Sequence, residues 1–355
     1  MTAPLYRGAM EEAARGFQPK PSPSGPVWGG NAGLWFDKFC DRWQADFSGL
    51  AGDDAKRQWI ESLIRPRGRD GLPDPGKPPV KTGDPALLAE HARRRRSLVE
   101  ARGGRVLEMR LTARFATGLG RRHPVENGFA FHHSLGVPYL AGSGVKGLTR
   151  AWAEIAAPES VKTVFGSRPG DGALEVGDLI LLDALPMEPV LLAVEVVTPH
   201  TGGWNRADPA VPSSLDPPAD WHSPKPIPFL ALEAGAVFQF AVLPRRPSLP
   251  LDDAARWLSE ALEWLGAGAK TATGFGRFHP RDAALPEDPV SPFGVPSANP
   301  ASTPRGRGAS QSPQPLRRGT VDGEPVEILR REGGMLVVRF VETGDIETVR
   351  PDAVT

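Results

Sequence analysis

Hydrophobic positions change period several times along the chain, and each change marks an element. Residues 105–116, RVLEMRLTARFA, alternate: Leu107, Met109, Leu111, Ala113 and Phe115 lie on one side, Val106, Glu108, Arg110, Thr112 and Arg114 on the other. Period two predicts a half-buried strand, here with Arg110 and Arg114 on its open face. Residues 137–154, VPYLAGSGVKGLTRAWAE, pass from a short β-prone run through Gly142, Gly144 and Gly147 to a helical period over Val145, Leu148, Trp152 and, just beyond, Ile155. This predicts strand, glycine turn and helix, with Ser143 as the cap. LEVGDLILLDALP, PVLLAVEVV and FLALEAGAVFQFAVL each read as a strand. A helix then starts at Asp252 and Asp253, with Ala254, Trp257, Leu258, Ala261, Leu262 and Leu265 inward. It ends at Gly266, where a second glycine loop, GAGAKTATGFGRF, begins.

The flanks are patterned differently. Residues 1–32 are rich in Pro, Gly and Ala and predict an extended arm. Leu34, Trp35, Phe39 and Trp43, then RQWIESLI, predict short amphipathic helices docked by Trp59, Leu63 and Ile64. Turn chemistry over 65–85 precedes a helix, ALLAEHARRRRSLVEARG. Residues 198–228 form a long Pro-rich connection carrying His200, Trp204, Trp221 and His222; its rings either stack on unpaired bases or pin the loop to its own core. Residues 280–315 hold nine prolines, the composition of a linker. The last forty residues show three or four short strands with turns at 322–323, 333–334 and 344–345, as in a small SH3-like β-barrel. The resulting division is an N-terminal arm and helical segment (1–100), an α+β core (101–280), a Pro/Ser/Gly-rich linker (281–316) and a β module (317–355).

Charge narrows the partners. With Lys+Arg and Asp+Glu both at 42 the net charge is zero, so any nucleic-acid binding must come from local patches. One such patch is the run Arg93, Arg94, Arg95, Arg96, Arg102, Arg105, Arg110, Arg114, Arg121 and Arg122, with only Glu100 and Glu108 among them. It is either a solvated helix face or an RNA-facing one. Cys40 is the single cysteine, which excludes an intramolecular disulfide and a cysteine-based zinc site and fits a reducing compartment. No apolar signal core or membrane span is evident, so a cytoplasmic protein is expected.

The glycine turn at 142–147 offers unclaimed N–H groups and a positive dipole end to an anion, with Lys146 and Arg150 placed to clamp phosphate. Its G-x-G-x-x-G lacks the acidic residue a dinucleotide site requires: positions 163–166 are Thr, Val, Phe and Gly. Lys146 is followed by Gly147 and not by Ser or Thr, so the P-loop pattern fails too. His132 and His133 are adjacent, would point to opposite faces of a strand and cannot share a metal; one is structural and the other is a candidate base. Asp178 and Asp183 read as turn formers, and no metal or cofactor is assigned.

PYLAGSGVKGLTRAWAE, FGS followed by GALEVGDLILLDALP, EVVTPH, DWHSPKPIPFLALEAGAVFQF and GAGAKTATGFGRF, in that order, resemble the RAMP superfamily of CRISPR-associated proteins. NAGLWFDKF and the VVTPH to PIPFL pairing are similar to the sixth-subunit family of the type III-B (Cmr) effector complex. The resemblance covers about residues 30–280 and implies a ferredoxin-like, RRM-like core with insertions. It implies a non-catalytic RNA-binding subunit that holds the 3′ part of the guide RNA and caps the backbone filament in antiviral defence. The partners implied are guide RNA, target RNA indirectly, and other Cmr subunits, both backbone and small. Carried onto this sequence, Ser143, Gly144, Lys146, Arg150, Lys270, Thr271, Gly274 and Gly276 would follow the guide backbone; Arg110, Arg114, His133 and Gly147 complete the candidate RNA-binding set. The 198–228 segment would correspond to a thumb-like insertion, while the linker and β module fall outside the family pattern. The alternative is a metal-independent endoribonuclease of the same superfamily, with His133 or His123 as base and Lys146 stabilising the phosphorane.

Overall fold

The computed structural model describes residues 17–52, 54–168, 175–199, 204, 223–246 and 251–283, and near the C-terminus 317–321, 324–332, 335–340 and 346–349. The chain divides into two compact units, Met1–Leu285 and Pro286–Thr355.

The first unit begins with a short antiparallel pair, β1 (Pro19–Lys20) and β2 (Val27–Trp28). Helix α1 (Ala32–Lys38) is capped by Asn31, whose side-chain oxygen accepts from Leu34 N at 2.9 Å; α2 (Ala55–Glu61) follows. The expected arm is anchored in the core by Phe17, Val27 and Trp28: Phe17 stacks on Trp28 (4.5 Å) and Trp35 (4.7 Å), and Trp28 Nε1 donates to Leu63 O at 2.6 Å. Three large rings, spaced too widely to register as a period, do the work that alternation does elsewhere. The helical stripe is also displaced: α1 buries Trp35 and Phe36 and leaves Leu34 54% exposed.

Helix α3 (Pro85–Ala101) has Pro85 in its first turn and Asp84 as its cap, Oδ1 accepting from Ala86 N (2.9 Å) and Leu87 N (3.0 Å). Then come β3 (Arg105–Leu111), the short β4 (Arg122–His123) and β5 (Glu126–Asn127), α4 (Gly142–Ala156) and α5 (Val161–Phe165). Strands β6 (Leu179–Leu181), β7 (Leu185–Pro186), β8 (Leu192–Val197), β9 (Ile227–Leu232) and β10 (Val237–Pro244) lead to α6 (Leu251–Trp264) and β11 (Phe278–Pro280). The central sheet runs β11-β3-β10-β6, antiparallel throughout, with β7 also on β10. FLALEAGAVFQFAVL is thus two strands: Gly235 takes φ +97°, β9 pairs with β8, and only β10 enters the central sheet.

Both faces of that sheet are covered. Met109, Leu111, Phe238 and Phe240 join Val145 and Ala153 of α4 and Ala254 and Leu258 of α6 in the main core, which also takes in Trp59 and Leu63. On the other face Val99 of α3 packs with Val106, Ala241 and Leu243, and Gln239 Nε2 donates to Ala92 O at 3.1 Å. The face expected to be open therefore carries a helix. The strand also ends at Leu111, because β10 begins at Val237, opposite Arg110. On α4 the buried positions are Val145, Thr149 and Ala153, and Ile155 is 69% exposed.

The second unit contains β12 (Arg317–Val321), β13 (Glu324–Glu332), β14 (Met335–Phe340) and β15 (Ile346–Val349), an antiparallel meander in that order with a register shift between Ile328 and Arg330. The predicted turns at 322–323, 333–334 and 344–345 lie outside the described residues, as do residues 1–16 and most of the linker and the Pro-rich connection. Among the described residues the strand order is β12-β13-β14-β15, with no pair between β15 and β12.

Candidate nucleic-acid interface

The first glycine turn is built against the sheet edge. Ala141, in extended conformation, is the cap of α4, and Ser143 lies inside the helix without a capping bond. A Cβ on Gly142 would meet Leu181 O at 2.5 Å, so this glycine permits the helix to start against β6. Its N–H donates to Asp183 Oδ1 at 2.6 Å. The chain thus supplies one anion of its own at the positive helix end. Lys146 is half-buried with no side-chain partner among the described residues, and Gly147 faces open space. Arg150 does not join Lys146 as a free clamp: its Nε donates to Glu154 Oε1 (3.0 Å) and its Nη1 to Gly166 O (3.2 Å). Arg150, with Arg168 beside it, holds the Glu154 carboxyl below its ordinary range.

The second turn is conformationally demanding. Gly276 has φ +70° and a Cβ there would lie 1.9 Å from Ala267 O, while Gly274, at φ +92°, faces open space. Lys270 is left-handed (φ +59°) ahead of a 3₁₀ turn at Thr271–Thr273, and Thr273 Oγ1 donates to Lys270 O at 2.8 Å. Lys270 Nζ sits 5.0 Å from the centre of the Phe229 ring, a cation–π contact, and meets no carboxylate among the described residues. Thr271 is half-buried, and its carbonyl accepts from Arg277 Nη2 at 3.4 Å.

Residues 114–117 tie the bases of the two turns together. Ala269 N donates to Ala116 O (2.7 Å) and Gly276 N to Arg114 O (2.7 Å), while Thr117 Oγ1 donates to Tyr139 O (3.1 Å), three residues before Gly142. The remaining candidates lie elsewhere. Arg110 is half-buried on the sheet face that α3 covers, in register with His279. Arg114 lies beyond the strand; its Nη2 meets Glu233 Oε1 at 2.8 Å and its Nη1 pairs with Glu195, so it is not an outward cation. Gly144 is exposed.

The histidines separate by environment. His133 is exposed, while His132 is half-buried, its Nδ1 accepting from Leu135 N at 3.3 Å; burial holds its pKa below the ordinary value. His123 stacks on Phe36 at 3.9 Å, accepts at Nδ1 from Val125 N (3.3 Å), and hence donates from Nε2 to Phe36 O (3.0 Å). Burial pushes its pKa down to about 4. With both ring nitrogens engaged, His123 has no free position for a general base. The aspartates are structural: Asp183 accepts from Gly142 N at the start of α4, and Asp178 accepts from Arg246 Nε at 3.3 Å. Among the described residues no three His, Cys, Asp or Glu side chains gather as around a metal. Cys40 is buried and its thiol is pushed up to about 11, chiefly by burial. Of the aromatic loop, Trp204 is described and exposed; His200, Trp221 and His222 lie outside the described residues.

Asp183 and Phe229 are the site residues that sequence reasoning missed. Asp183 is 41 residues from the N–H it accepts, and Phe229 sits in a strand whose apolar run reads as core.

The RAMP superfamily pattern matches residues 25–279, most of the chain. The chain belongs to the RAMP superfamily. Among RAMP relatives it is similar to the CRISPR system Cmr subunit Cmr6 of Pyrococcus furiosus, 25% identical over 223 residues. That alignment takes in 46% of this chain and 64% of the relative, less than two thirds of its length. Among solved structures, a type III-B Cmr-beta complex bound to cognate target RNA gives a TM-score of 0.48 at 18% identity, over 64% of this chain and 71% of that one. The crystal structure of Cmr6 from Pyrococcus furiosus gives 0.32 at 25% identity, over 50% and 97%. Among the described residues of this RAMP protein no helix is long and apolar enough to cross a membrane.

Proposed function

We propose that this chain is a non-catalytic subunit of a type III-B (Cmr) CRISPR effector complex, holding the 3′ part of the guide RNA at one end of the backbone filament in antiviral defence. Similarity to Cmr6 supports the assembly. The order β11-β3-β10-β6, with α4 and α6 on one face, supports a ferredoxin-like reading of the core. Because α3 lies on the opposite face, where an RRM stacks bases, RNA is held at the end of the sheet. The observation that carries the reading is the pair of glycine turns joined through residues 114–117, each offering a lysine that no carboxylate among the described residues neutralises. Lysine side chains suit phosphates and read no sequence, as a guide-holding subunit requires.

The test is binding of labelled single-stranded repeat RNA to the full chain, alone and co-expressed with the other subunits. Salt-dependent binding that Lys146→Glu and Lys270→Glu each weaken supports the reading. Binding unchanged in both variants defeats it. Metal-free cleavage of that RNA, lost in His133→Ala, would put the endoribonuclease in its place.

A further inference from the structure

A cleft of about 530 Å³ opens between α3 and the β6–β7 run, and neither Lys146 nor Lys270 lines it. Leu98, Leu181, Leu182 and Leu185 give it an aliphatic wall beside the titratable side chains that complete the lining. Among the residues lining it is Arg95, only 7% exposed, whose Nε and Nη2 are shut off from solvent and have no hydrogen-bond partner. Those two nitrogens form one edge of the guanidinium, the fork that takes a carboxylate bidentately. A buried donor without an acceptor is a standing cost to the fold. Here that cost has already been met in the free protein, so an acceptor need not strip water from these nitrogens; because they are closed to solvent, the Arg95 side chain turns into the cleft to receive it.

The neighbouring charges select the occupant. Arg94 is answered by Glu90 (2.5 Å), and Asp183, on the cleft wall, already accepts from Gly142 N. Among the described residues, the Nε and Nη2 of Arg95 thus have no hydrogen-bonding partner, in a cleft lined by leucines and an aspartate. An RNA strand would bring successive phosphates towards Asp183 and would find no aromatic wall apart from His91 and His132. One carboxylate among aliphatic side chains fits better.

We propose that this cleft is a protein-docking site that receives a glutamate or aspartate, flanked by aliphatic residues, from an extended segment of a partner protein, with the carboxylate on the Arg95 fork. Leu98, 55% exposed, is the rim residue against which the flanking side chains pack.

The probe is acetyl-Leu-Leu-Glu-Leu-Leu-amide, with its aspartate and glutamine counterparts. Each is titrated to about 5 mM into full-length, histidine-labelled protein while the His91 and His132 ring resonances are followed. The acidic peptides should shift both signals and bind at least tenfold more tightly than the glutamine peptide. Arg95→Met should abolish that preference. Leu98→Glu, at an exposed position and hence safe for folding, should do the same by placing a resident carboxylate at the rim. Removing an unpaired buried charge should leave Arg95→Met with an equal or higher Tm; a lower Tm together with an unchanged peptide preference would make Arg95 purely structural and overturn the proposal. Equal binding of acidic and glutamine peptides, or no shift with any of them, overturns it as well. An octauridylate that moves the same two signals and displaces the peptide would assign the cleft to RNA instead.

Discussion

Arg93 and Arg94 of α3 share Glu90, Arg96 pairs with Glu108 and Arg95 turns inward, whereas Lys146 and Lys270 meet no carboxylate among the described residues. In sequence the four consecutive arginines are the louder signal. On a helix, however, a carboxylate three or four positions away reaches the same surface, and α3 supplies one. The acids around the glycine turns are engaged elsewhere: Asp183 on Gly142 N, Glu195 and Glu233 on Arg114. Charge density along a chain therefore says less about an interface than whether each charge has been answered in space.

The largest effect should come from the geometry of the second turn. Gly276→Ala forces a Cβ against Ala267 O at a left-handed φ and should cost about 4 kcal/mol or prevent folding, read by denaturant unfolding. Gly147→Ala, in open space on a helix, should instead gain up to about 1 kcal/mol. Equal costs at the two sites would erase the distinction between a glycine the fold requires and one it leaves free.

Acid should weaken the fold before it informs on the interface. His123 takes a proton in the unfolded chain near its ordinary pKa of 6.5 but in the folded one only at about 4. The unfolded state therefore binds more protons between those values, and stability falls as pH drops through that window. Its contribution to the loss is about 3 kcal/mol between pH 7 and pH 4. Denaturant melts across that range should show a smaller fall in His123→Gln than in the parent, and parallel losses would remove His123 as the cause.

Next in size is the interface itself. Lys146→Glu combined with Lys270→Glu should lower RNA affinity about tenfold or more and reduce the salt slope by about 1.4, the value for two lost single-strand phosphate contacts. The smallest effect belongs to α3: Arg93→Ala with Arg94→Ala should leave both Tm and RNA affinity within error, because both side chains are exposed and share Glu90. If that pair weakened RNA binding as much as the lysine pair, the contrast between answered and unanswered charge would fail.

Much of the architecture was written in local pattern. The period-two run gave β3 within a few residues, the Asp252–Asp253 start and its apolar stripe gave α6, and the glycine turns marked both ends of the candidate interface. Periodicity reports which residues share a side of one element, since that follows from backbone geometry alone. What covers that side depends on residues far away. Hence the strand face bearing Arg110 read as open although α3 lies on it, and Leu34 and Ile155 read as inward although neighbouring elements leave them exposed.

The sequence by itself determined the element types, the RAMP pattern over most of the chain and the two glycine turns, because each is a property of neighbouring residues. Only the tertiary structure decided which charges remain. The Asp183 bond to Gly142 N, the carboxylates around Arg114, the stacked ring of His123 and the unpartnered fork of Arg95 all arise from contacts between distant segments. Hydrogen bonds and ion pairs act over a few ångströms, so their partners are fixed only once the chain has folded.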